Sequence, residues 1–180
     1  LVMRIEDSML SLMCELSFLS SDQFTTCFYA SVDCLLQHVS LFEQKINRFE
    51  KYIFWIAINC IKSDDKYIDQ FYNNTNLMNL IVDVINNKND DYTYFKSAFI
   101  LLDNLYQKNY FIIPELNLTT ITQAIPVFYS DDILLISLLR ILRVHINQPQ
   151  FFSLVLDSSF ISMLSEMFFQ SNYSVKIEII

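Results

Sequence analysis

Not one of the 180 residues is glycine. Glycine is the residue that reaches positive φ without a steric penalty and lets backbone approach a ligand closely. A chain without it cannot build a phosphate-cradling loop or a dinucleotide fingerprint. Two-residue hairpin turns are disfavoured as well, although asparagine can stand in for glycine there. An all-helical chain tolerates the absence best. Its 14 asparagines are candidates for the left-handed positions at which helices end.

With 53% apolar residues the chain is a folding one, long enough for one core or a short stack of repeats. No apolar run approaches the ~18 residues that a bilayer span requires. The longest candidate, Ile133 to Ile146, is interrupted by Arg140 and Arg143. A first residue of leucine reads as a segment of a longer protein. Cys14, Cys27, Cys34 and Cys60 form no CxxC pair, and only His38 and His145 accompany them. That pattern reads as buried free thiols in a reducing compartment, cytoplasmic or nuclear, rather than as a zinc site. The Asn-x-Ser/Thr triplets at Asn73, Asn117 and Asn172 are read as a by-product of asparagine richness.

Helical periodicity runs through the chain. Leu77, Leu80, Ile81, Val84 and Ile85 mark one apolar face, and Tyr94 to Gln107 is apolar on more than one side, as in a helix covered by several others. The chain also resembles itself. The stretch from Lys66 aligns with that from Gln150 at an offset of 84, pairing Tyr67 with Phe151, Phe71 with Val155, Asn73 with Asp157 and Leu80 with Leu164. Ser21 to Ser31 aligns with Asp64 to Asn74 at an offset of 43, with the Phe-Tyr pairs coincident. Half of the longer offset places a third copy near residue 108, at "KNYFIIPEL".

Each unit therefore reads as a short helix, a second helix, a polar break and a longer third helix. The breaks are 44–47, 87–91, 129–132 and 170–174, and their Asp, Asn and Ser residues suit N-caps. Long helices are expected over 48–61, 92–107 and 133–146, with a fourth towards Ile180. A period near forty is that of HEAT and armadillo repeats. The expected architecture is all-α, an α-solenoid over residues 1–180 of about four repeats, the first and last incomplete.

The segment "YIFWIAIN" (52–59) resembles the third-helix signature of the armadillo family, with Trp55 and Asn59 four apart. In the same frame the next unit carries Ile100 and Asn104, and the one after it Ile141 and His145. The resemblance implies a right-handed superhelix of three-helix repeats with third helices side by side along a concave groove. The glycine usual between the first and second helices is replaced by Ala30-Ser31, Asn73-Asn74 and Asp157-Ser158.

Importin-α-like members of that family use such tryptophans as slots for cargo lysines and such asparagines to hold an extended backbone. The chemistry is sound, because an amide both donates and accepts and an indole face attracts cations. The alternative for Trp55 and Asn59 is a core tryptophan and an inter-helix asparagine. Charge complicates the basic-cargo version. The long helices hold Arg48, Lys51, Lys96, Arg140 and Arg143 against Glu50 and Asp103, although the net charge is −8. Lys51 and Lys96 lie one turn before Trp55 and Ile100, where a cation repels a cargo lysine. Basic grooves in catenin-like members take acidic partners instead.

The expectation is a non-enzymatic protein-interaction module that holds an extended peptide through Trp55, Asn59, Lys51, Lys96, Ile100, Asn104 and His145. An import-receptor-like segment and a purely architectural HEAT-type scaffold are the alternatives. No Ser-His-Asp or Cys-His constellation is apparent, and no cofactor, metal or small-molecule substrate is expected. The paired carboxylates Asp64-Asp65, Asp90-Asp91 and Asp131-Asp132 are read as helix caps. The net negative charge disfavours nucleic acid.

Overall fold

A computed structural model describes residues 11–17, 27–32, 34, 50–87, 92–107, 113, 116–145 and 157–179. Among these residues the protein is all-helical, without strands. It divides into two compact units, Leu1–Leu105 and Tyr106–Ile180. The breaks at 44–47 and 88–91, the Asp90-Asp91 pair and most of the third copy near 108 lie outside the described residues.

In the first unit, residues 11–17 and 27–32 are helical. They are followed by α1 (Glu50–Ser63), α2 (Lys66–Tyr72), α3 (Thr75–Asn87) and α4 (Tyr92–Tyr106), whose last residue begins the second unit. α2 packs against both α1 and α3. The periodicity of α3 decides its orientation: Leu77, Leu80, Ile81, Val84 and Ile85 are all buried. In α1 every residue from Ile56 to Ile61 is buried, so that helix is enclosed on more than one side. α4 is enclosed likewise, from Ser97 to Asp103. Aromatic rings fill the core. Tyr29 lies 5.1 Å from Phe71 and 5.6 Å from Tyr67, and Phe95 meets Phe99 edge-on at 4.6 Å.

The second unit contains α5 (Leu118–Val127), α6 (Asp132–His145), α7 (Ser158–Gln170) and α8 (Tyr173–Ile179). α6 packs against α5 and α8, and α8 against α7. Leu118, Ile121, Ala124 and Ile125 form the inner face of α5. Phe160 and Met167 are the buried residues of α7.

The long helices fall where periodicity and breaks put them, at Glu50–Ser63, Tyr92–Tyr106 and Asp132–His145. Capping explains the starts. Asn74, Asp131 and Asn172 accept through Oδ1 from the backbone N–H three residues on, at Leu77, Leu134 and Val175. Asn117 and Asp157 accept from the N–H two residues on, at Thr119 and Ser159. Each bond satisfies a first-turn donor that the helix cannot satisfy itself. The serine hydroxyl of Ser159 also donates to Asp157, and these bonds hold that carboxyl below its ordinary value.

Two expectations about the glycine-free turns are corrected. No described residue has positive φ. Asn73 closes α2 at φ −78°, ψ −4°, in the right-handed region, and its Nδ2 donates 2.8 Å to the Asp69 carbonyl. The backbone N–H of Asn73 donates to the same carbonyl, so the helix closes on this residue without a left-handed position. Ala30 and Ser31 form no turn at all, being inside the helical stretch 27–32.

Candidate functional site

Trp55 and Asn59 lie one turn apart on α1. Trp55 is half-buried. Asn59 is only 5% exposed, and its Nδ2 donates to the Ser17 hydroxyl at 2.6 Å. Ser17 in turn donates to the Cys14 carbonyl, also at 2.6 Å. A buried amide inside an apolar helix is costly unless it has such a partner. The polar residue in the middle of the Ile-Ala run is therefore tied to a helical segment 42 residues earlier.

On α4, Lys96, Ile100 and Asn104 follow one another at single-turn spacing. Ile100 is buried at 8% exposure. Asn104 is half-buried and donates 2.6 Å to the Ile100 carbonyl, a bond back to its own helix. Lys96 is half-buried, with Nζ 5.7 Å from the ring centre of exposed Tyr92. That is within cation–π range. The side chain of Lys51 lies outside the described residues.

His145 belongs to the second unit and is 1% exposed. Its Nε2 is 2.9 Å from the Tyr106 hydroxyl, which donates to it when the ring carries its proton on Nδ1. Burial pushes the imidazole below its ordinary pKa, because the charged form loses solvation. Folding with a depressed histidine pKa favours the neutral ring. This contribution is complete above about pH 6.5 and declines as pH falls towards the folded-state value. The melting temperature of wild type should therefore drop more between pH 7 and pH 5 than that of His145→Gln. Equal drops would remove His145 as the cause.

The structure thus keeps Trp55 and Asn59 on one helix and Lys96, Ile100 and Asn104 on another, with His145 in a different unit. Asn59, Ile100, Asn104 and His145 are engaged in packing or in hydrogen bonds within the protein.

The positive charge assigned to the long helices is partly answered. Arg140 Nε is 2.7 Å from Glu178 Oε1, and Arg143 Nη1 is 3.4 Å from Glu178 Oε2. Glu178 is on α8, the short last helix, and sequence reasoning did not single it out. It did not single out Ser17 or Tyr106 either. One signal would have found all three, since each lies 42, 39 or 38 residues from its partner, close to the period expected from the sequence.

The cysteines also depart from expectation. Cys14 and Cys60 are buried, and burial pushes the Cys60 thiol up to about 12 and raises Cys14 as well. Cys27 and Cys34 are exposed. Among the described residues no three His, Cys, Asp or Glu side chains gather as a metal site, and no helix is long and apolar enough to cross a membrane.

These side chains define an all-helical protein whose polar residues fasten helix to helix about forty residues apart. No protein-family model, curated protein or solved structure matches the chain.

Proposed function

We propose that the chain is a non-enzymatic protein-interaction segment built of armadillo-like helical repeats. The observation that carries this reading is the spacing of its long-range side-chain hydrogen bonds. Asn59–Ser17, Tyr106–His145, Tyr129–Gln170, Arg140–Glu178 and Asn172–Asp132 join residues 42, 39, 41, 38 and 40 apart. Bonds with the period of the repeat are what stacked units make, since each unit buries its face only against its neighbours.

Within this reading the frame residues divide by use. Asn59 and His145 serve stacking, which favours the architectural role at those two positions. Trp55 and Lys96 keep accessible surface, and they are the residues we assign to an extended peptide partner. A cytoplasmic or nuclear location accompanies the reading, supported by the free thiols.

Trp55 is the only tryptophan, so its emission reports this site directly. On the reading that Lys96 shares the binding surface, titration with an acidic extended peptide should shift the emission, and a lysine-rich peptide should shift it less. Asn59→Ala should lower stability by about 1 kcal/mol through the lost hydrogen bond to Ser17 while leaving the peptide-induced shift in place. Silence with both peptides would remove Trp55 from any binding role and leave the architectural reading alone.

A further inference from the structure

We draw no further inference here: the strongest candidate, the apolar surface patch on α7 where Ile161 and Phe169 are 51% and 77% exposed, carries nothing because nothing in the structure shows what covers it.

Discussion

Phe95→Ala should destabilise the first unit by about 3–5 kcal/mol, the usual cost of emptying an aromatic core position. Phe95 is fully buried, stands edge-on to Phe99 at 4.6 Å and belongs to α4, where the burial of Tyr94 and Ser97 to Asp103 leaves little route for relaxation. A domain of this size has about 5–15 kcal/mol in all. One substitution would therefore remove a large share of the stability. Urea denaturation followed by Trp55 emission reads the effect where it occurs, because α1 and α4 up to Leu105 are in the same unit. The midpoint should fall steeply with little change in slope. A loss under about 1 kcal/mol would mean that the site collapses around the gap or that α4 is not enclosed.

The second expectation concerns a fragment. Residues 64–107, which contain α2, α3 and α4, should show a coil-like circular dichroism spectrum on their own. Tyr67 and Phe71 of α2 pack on Tyr29, and α2 packs on α1, both of which the fragment lacks. Its helices of seven, 13 and 15 residues are at or below the length of independent stability. Losing the neighbouring faces removes the burial that offsets chain entropy. A fragment that melts cooperatively would count against the repeat reading.

Much of the helical layout was legible before any tertiary contact was known. The face of α3 could be read residue by residue, because burial follows the 3.6-residue period. Helix starts could be read from Asp131 and Asn172, whose short side chains reach first-turn amides. The Asn-x-Ser/Thr triplets at Asn117 and Asn172 have a structural use, since both asparagines are caps.

The alignment between α3 and α7 was one residue out. Matching Asn73 with Asp157 pairs two polar residues by type, whereas the caps are Asn74 and Asp157. Pairing by cap places Leu77 opposite Phe160 and Val84 opposite Met167, all buried. A cap is defined by which amide its oxygen reaches, and composition alone does not separate two adjacent asparagines.

The candidate site was legible as a set of special positions and illegible as to use. Asn59 stood out because an amide in an Ile-Ala run needs a partner. Whether that partner was a peptide or the protein's own Ser17 depended on what lay 42 residues earlier in space. Trp55 remains accessible where Ile100 and His145 do not, although all three shared one motif frame.

By itself the sequence determined helix content, several helix ends and the apolar faces, since these depend on local sterics, capping and patterning. Only the tertiary structure decided which polar groups face one another. Asn59 meets Ser17, His145 meets Tyr106, and Arg140 and Arg143 share Glu178. A side chain's ionisation and availability follow from what surrounds it, and those surroundings are assembled from residues far apart along the chain.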